Sequence, residues 1–242
     1  MISGTKRVSG LAVQRLVAAL LLLLAMAAVT PAEAQQSSRT RSKRESTVNR
    51  KARIARTIEQ TYSHRWEAAG GGGFLRFRSG QYLQQNSEIA FFGSTQYSLT
   101  QKFGIFGEVA GGYGNAKIGT NPYLNDFKEI GYKPQISEYT FTAGPSYRLY
   151  AKQKLAATAY VTGGMALGKF DNGSKGFTSA ELGLWPSGYD PAFTAGLNLD
   201  YNISPSLAFR VAPKFVGTAF GSTIQTNKGF NMGVVYRFGK IK

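Results

Sequence analysis

The sequence predicts an all-β fold: an eight-stranded antiparallel up-and-down transmembrane β-barrel. Three observations point to it. The stretch Gly229–Phe238 puts Phe230, Met232, Val234, Tyr236 and Phe238 at every second position, with Asn231, Gly233, Val235 and Arg237 between them. A period of two sends the first set to one face of a strand and the second to the other. The same layout recurs from Arg65 onward, and in most repeats an aromatic or leucine closes each end of the apolar face, eight residues apart. The connections between repeats alternate between short and long.

Eight steps of ~3.3 Å, tilted by ~40°, rise about 20 Å, close to the ~25 Å apolar band of a membrane barrel with its aromatic girdles. A soluble barrel would turn the apolar face inward, and nothing about it requires this spacing. The connections Thr100–Lys102, Ala151–Lys154 and Asn202–Ser206 are short, whereas Leu75–Glu88, Lys117–Gln135, Asp171–Asp190 and Phe220–Lys228 are mostly longer. Short turns on one side and long loops on the other make a meander. An even strand number puts both chain ends on the short-turn side, expected to be periplasmic.

The chain precedes this barrel with two other segments. Met1–Ala34 reads as a secretory signal peptide: Lys6, Arg7 and Arg15 lead into the apolar run Leu16–Val29, and Ala32-Glu33-Ala34 offers a cleavage site. Fourteen apolar residues are too few to span ~30 Å of hydrocarbon. Export without any cysteine suits a bacterial periplasm or outer membrane, and the outer membrane is the expected location. Residues 35–64 form a basic leader, read as disordered or a marginal helix; Ile54, Ile58 and Tyr62 recur at helical spacing, but so short a helix is barely stable alone. The formal charge of +16 divides into +2 for the signal peptide, +6 for the leader and +8 for the remainder. In an exported protein, so basic a segment suits anionic lipid or cell-wall polymer and not nucleic acid.

Within 65–238 the strands begin with Trp66–Phe74, where Trp66 and Phe74 share a face with Ala68, Gly70 and Gly72. Strands follow at about Ile89–Leu99, Phe103–Tyr113, Glu138–Leu149, Leu155–Leu167, Phe193–Tyr201 and Leu207–Phe215, and the opening stretch is the eighth. The lipid-facing girdle is assigned to Trp66, Phe74, Phe91, Phe103, Tyr113, Tyr139, Tyr147, Phe193, Tyr201, Phe215, Phe230, Tyr236 and Phe238. The opposite face carries Glu67, Glu108, Arg148, Asp200, Arg210, Lys214 and Arg237. An eight-stranded lumen is just wide enough to be filled by side chains, and buried charges are costly unless paired. These residues are therefore expected to form a salt-bridge network, with a narrow ion path as the alternative.

Trp66-Glu67 leading into a glycine-rich strand, the strand end Gly144-Pro145-Ser146-Tyr147-Arg148 and the terminal Val234-Val235-Tyr236-Arg237-Phe238 resemble the small eight-stranded outer-membrane barrels of the OmpA/OmpX type. The resemblance covers about Arg65–Phe238 and lies in pattern more than in a specific motif. It implies a monomer in contact with outer-membrane lipid and lipopolysaccharide. One departure is the tail Gly239-Lys240-Ile241-Lys242 after Phe238, where that family usually ends on the aromatic that resembles an assembly signal. No peptidoglycan-binding domain is expected to follow.

Enzymatic readings fare poorly. Outer-membrane acyltransferases and deacylases of similar architecture use a histidine near the outer rim, and the single histidine here, His64, precedes the first strand. A Ser-His or Asp-His base is missing where it would act, and one histidine without cysteine does not make a zinc site of the usual ligands. Gly70–Gly73 lies inside a strand with no Gly-Lys-Ser/Thr after it, so it reads as close backbone packing, not as a phosphate loop. No catalytic, cofactor-binding or metal residue is assigned. Phe177, Trp185 and Tyr189 in the longest clear loop are candidate contacts for an extracellular protein or glycan, or else pack on the barrel rim. The expected role is therefore non-enzymatic: structural, membrane-integrity or surface interaction through the long loops.

Overall fold

The computed structural model describes residues 46–120, 133–172 and 176–241. The signal peptide and the first part of the leader, residues 35–45, lie outside them. A helix α1 (Thr47–Tyr62) precedes eight strands: β1 (Trp66–Phe77), β2 (Asn86–Ser98), β3 (Phe103–Asn115), β4 (Gln135–Ala151), β5 (Leu155–Asn172), β6 (Gly188–Asn202), β7 (Leu207–Thr218) and β8 (Gln225–Phe238). Every neighbouring pair is antiparallel, and β1 pairs with β8 to close the barrel in chain order.

The short turns are built by one recurring device. At the β2–β3 turn the amides of Leu99 and Thr100 donate to the Phe103 carbonyl, while the Thr100 hydroxyl accepts from the Phe103 amide at 2.9 Å. At the β6–β7 turn Ile203 and Ser204 donate to Leu207, and the Ser204 hydroxyl accepts from the Leu207 amide at 3.0 Å. A hydroxyl that captures its own turn's backbone explains why Thr and Ser occupy these corners.

Closure brings β1 and β8 very close. Gly71 faces Gly233 across the seam. A Cβ on Gly71 would lie 2.1 Å from the Met232 carbonyl oxygen, and one on Gly233 would lie 2.2 Å from that of Gly70. Only glycine tolerates that approach, so the run Gly70–Gly73 serves curvature.

All thirteen girdle residues lie on the outer face, most of them well exposed. Trp66 and Tyr97 stack at one rim with centroids 4.7 Å apart, and Phe74 and Phe230 at the other at 6.1 Å. Val109, Phe141, Val161, Met232 and Val234 are exposed between the rims. The inward face of the same strands is polar, so the barrel is inside out relative to a soluble one.

The strands are longer than their apolar bands, always toward the long loops. Beyond Phe74 the alternation keeps its phase but inverts its polarity: Arg76 faces outward, while Leu75 and Phe77 face inward and are buried. Ile136, Phe170 and Val216 are likewise buried at the far ends of β4, β5 and β7. Together with Ile118, Leu182, Trp185 and Phe220 they form an apolar cluster that fills the long-loop mouth. Phe77 stacks on Phe170 at 5.9 Å, and Phe220 meets Phe170 edge-on at 5.2 Å. Outside lipid, water makes the ordinary arrangement, apolar inside and polar outside, favourable again.

The outward midplane gives the first test. Val234→Arg is expected to cost about 2–4 kcal/mol, whereas Thr226→Arg, on the same outer face of β8 beyond the girdle, is expected to cost about 0–1 kcal/mol. Folding titrations in lipid vesicles measure both; equal losses would argue against a lipid-facing band.

Candidate functional site

The interior is built from cross-strand pairs. Glu67 stands opposite Arg237 where β1 meets β8, and Asp200 stands opposite Arg210 between β6 and β7. Side chains directly opposite on one face are neighbours, so the register itself brings these charges together.

Near the short-turn mouth the pairs merge into one network. Glu67 accepts from Arg148 Nη2 at 2.7 Å and from Arg210 Nη2 at 3.0 Å, and Arg237 Nε lies 3.3 Å from its Oε1. Asp200 receives Arg210 through Nε at 2.7 Å and Nη2 at 2.9 Å, a two-pronged contact, and Arg237 Nη2 at 2.8 Å. Two further guanidinium donors go to Asn202 Oδ1 from Arg237 and to the Gln101 carbonyl from Arg148. A second, smaller pair lies deeper: Lys214 Nζ donates to Glu108 Oε1 at 2.7 Å, and Asn231 Nδ2 donates to Glu108 Oε2 at 3.0 Å. All seven residues assigned to the lumen from sequence are buried there, none more than 6% exposed.

The end of α1 docks at the short-turn mouth. Its last residue, Tyr62, is buried, and its phenol donates to the Lys152 carbonyl at 2.6 Å and accepts from Asn202 Nδ2 at 3.0 Å. The Arg148 guanidinium sits 4.9 Å over the Tyr62 ring. Burial pushes the phenol's pKa above its ordinary value, which keeps it a donor at neutral pH. The stripe of Ile54, Ile58 and Tyr62, expected to give a disordered or marginal helix, thus ends in a tertiary anchor. Helices this short gain stability mainly from such packing. His64 sits just past this helix, with Nδ1 3.1 Å from the Thr61 carbonyl.

Two acids were not foreseen. Glu88 and Glu138 point inward near the long-loop end, 1% and 2% exposed. They flank Gly112 of β3: Glu138 is its register partner, and Glu88 Oε2 would lie 2.6 Å from a Cβ placed there. None of their four carboxyl oxygens has a hydrogen-bond partner. Lys214 lies within electrostatic reach of Glu138, but its ammonium is bonded to Glu108. Both acids share the parity of the inward residues of their strands, which was the available signal. In sequence Glu138 stands at a strand start and Glu88 at the end of a loop, where alternation is too short to mark them as lumen residues.

The three loop aromatics separate. Tyr189 is 69% exposed on β6, and Phe177 is 43% exposed. Trp185, read either as a surface contact or as packing on the rim, is buried: its indole N–H donates to the Arg78 carbonyl at 2.9 Å, and its amide donates to the Ser79 carbonyl. It ties the β5–β6 loop to the β1–β2 loop, because a buried indole must find an acceptor.

The two kinds of acid respond oppositely to charge removal. Glu67→Gln strands three guanidiniums and is expected to cost about 3–5 kcal/mol, whereas Glu88→Gln and Glu138→Gln remove a buried carboxyl that has no hydrogen-bond partner and are expected to be neutral or stabilising. Urea titration of the barrel folded in vesicles measures each; a stability loss at Glu138 as large as at Glu67 would mean that a partner holds it.

No protein-family model matches the chain, and no curated protein matches it in sequence. Among solved structures, Neisserial surface protein A (NspA) is similar at 10% identity, over 72% of this chain and 97% of that chain, with a TM-score of 0.52. OprG of Pseudomonas aeruginosa follows at 11% identity, 73% and 98% coverage and a TM-score of 0.48. Ail of Yersinia pestis stands at 16% identity, 73% and 99% coverage and a TM-score of 0.45. The likeness to NspA is one of fold, and the closed barrel described above has the architecture shared by small eight-stranded outer-membrane barrels.

Proposed function

We propose that this is a non-enzymatic outer-membrane protein that works through its outer surface, not through its lumen. The observation that carries the reading is that the interior is filled from end to end. Tyr62 lies under the short-turn mouth, two ion-pair groups occupy the barrel, and the apolar cluster around Phe77 and Phe220 fills the other end. Moving an ion through it would require breaking buried pairs at several kcal/mol each. His64, beside the short-turn mouth, stands away from any rim where lipid chemistry would occur.

The outer collar supports a lipopolysaccharide contact. Immediately beyond the stacked Phe74 and Phe230, the register puts Arg76 beside Lys228. Lys169 is exposed beyond Leu167 on β5 in the same way. Cations just above an aromatic girdle suit phosphate groups at the lipid headgroup level. On the other side, α1 presents Arg50, Lys51 and Arg56 to solvent beneath the barrel. In the expected orientation this basic helix faces the periplasm, where anionic lipid or cell-wall polymer is its partner.

Two measurements test the reading. The protein should appear in the outer-membrane fraction, migrate faster unboiled, and give no steady conductance in planar bilayers; a stable open channel lost on neutralising Arg210 and Glu108 would favour a pore. Replacing Arg76 and Lys228 together by glutamate should weaken lipopolysaccharide binding, each cation near an anionic surface being worth roughly 1 kcal/mol, and the difference should shrink at high salt. Unchanged binding would remove the collar's role.

A further inference from the structure

The apolar cluster at the long-loop mouth draws on all four long loops: Leu83 from β1–β2, Ile118 from β3–β4, Leu182 and Trp185 from β5–β6, and Phe220 from β7–β8. The layer beneath it carries two acids. Glu88 stands directly opposite the buried Leu75. Glu138 lies two residues after Ile136 on the same face, and its β5 partner Gly168 lies two residues before Phe170. Each acid thus adjoins members of the cluster, one step beyond the girdle residues Phe74 and Tyr139 and outside the apolar band.

The two carboxyls converge over Gly112. Glu88 lies across β3: a Cβ on Gly112 would be 2.6 Å from its Oε2, and one on Gly114 would be 2.8 Å from its Cγ. Glu138 meets Gly112 from the other side, as its register partner. Glycine at both positions clears the niche that Glu88 fills. Among the described residues, no hydrogen bond reaches any of the four carboxyl oxygens. Glu88 faces the charge of Glu138, and Glu138 has Lys214 within reach, already bonded to Glu108. On β1, β3, β5 and β8 the neighbouring inward residues, Leu75, Gly112, Gly168 and Gly229, are uncharged. β6 offers Asp190, half-buried one row lower opposite Ala166, and β5 offers the Tyr160 phenol further down.

Two buried carboxyls that converge on one glycine without partners do not both stay ionised. We infer that Glu88 and Glu138 form a protonation switch for the long-loop mouth: sharing a proton, they let the apolar cluster close over them, and losing it, they repel and loosen the cluster and its four loops. Burial holds both carboxyls above the ordinary carboxylate range; Glu138 adds to the effect at Glu88, and Lys214 opposes it at Glu138. Glu88, facing a carboxyl and not a cation, keeps the last proton. In the unfolded chain both ionise in the ordinary range, so above that range the folded mouth binds more protons. Its closure is fully present at acid pH and is lost as pH rises into the alkaline range. Control of outer-surface contacts by this switch rests on the proposed function, whereas the switch itself does not.

The chain holds two tryptophans, so Trp66→Phe leaves Trp185, inside the cluster, as the sole fluorescent reporter. Detergent-folded Trp66→Phe protein is followed from about pH 5 to about pH 10 by acrylamide quenching of Trp185 and by subtilisin cleavage of the long loops. Both should rise together on the alkaline side, with cleavage about tenfold or more faster at the alkaline end. Adding Glu88→Gln and Glu138→Gln together should abolish the rise, and the ratio of the two proteins at each pH cancels the protease's own pH dependence. Where that double variant does not fold, either glutamine alone leaves one carboxyl without its opponent and should cut the rise about threefold or more. A flat profile in the Trp66→Phe protein overturns the proposal. So does a rise that survives in the glutamine variants, which would belong to Lys214 or a tyrosine. Because the measurement is made in detergent, that failure would leave the outer-membrane reading standing, and mislocalisation in cells would leave the switch standing.

Discussion

The structure depends on how Glu67 is satisfied. It is the inward acid of β1, the strand that must close on β8, and it meets guanidiniums from β4, β7 and β8. One carboxylate thereby links strands that are far apart around the barrel wall. Backbone pairing alone fixes only neighbours, and a sheet can slip in register. A carboxylate buried with three cations makes a slipped register costly, because any shift strands charge in the interior. Asp200 plays the same part for β6 and shares Arg210 and Arg237 with Glu67, so the two acids form a single unit.

Above that unit the barrel changes character. The middle is held by an ammonium-carboxylate pair with an asparagine, and beyond Glu88 and Glu138 the upper end is closed by an apolar cluster. The outer face runs the opposite course, from aromatics to Arg76 and Lys228. One chain thus carries two solvent rules in succession along each strand, lipid outside first and water outside next. In the proposed membrane setting, the inversion at Phe74 and Phe230 marks the end of the hydrocarbon. This also accounts for strands that outrun the ~20 Å apolar band.

Where the lipid rule holds, the sequence was legible. Strict alternation with terminal aromatics made the strands, their order and the inward charges readable, because each inward charge there stands between apolar or small outward neighbours. Where the water rule takes over, the same alternation reads as noise around an expected loop: Leu75 and Phe77 look like a strand running out, and Glu88 like a loop acid. Trp185 shows the same difficulty. An aromatic in a glycine- and proline-bearing loop reads as displayed, and only the position of the Arg78 carbonyl, in a segment over a hundred positions away in sequence, reveals that it is buried.

Helix α1 extends the argument beyond the barrel. Tyr62 completes the polar chain that begins at Glu67, since Asn202 bridges the phenol and Arg237. The helix stripe was visible in sequence, but the anchor was not, because an asparagine at the end of β6 carries no signal of what it will face. A lone aromatic at a helix end thus acquires meaning only from the network it caps. The same network fixes where the helix ends, so the basic residues before Tyr62 are carried on a segment tied to the barrel floor.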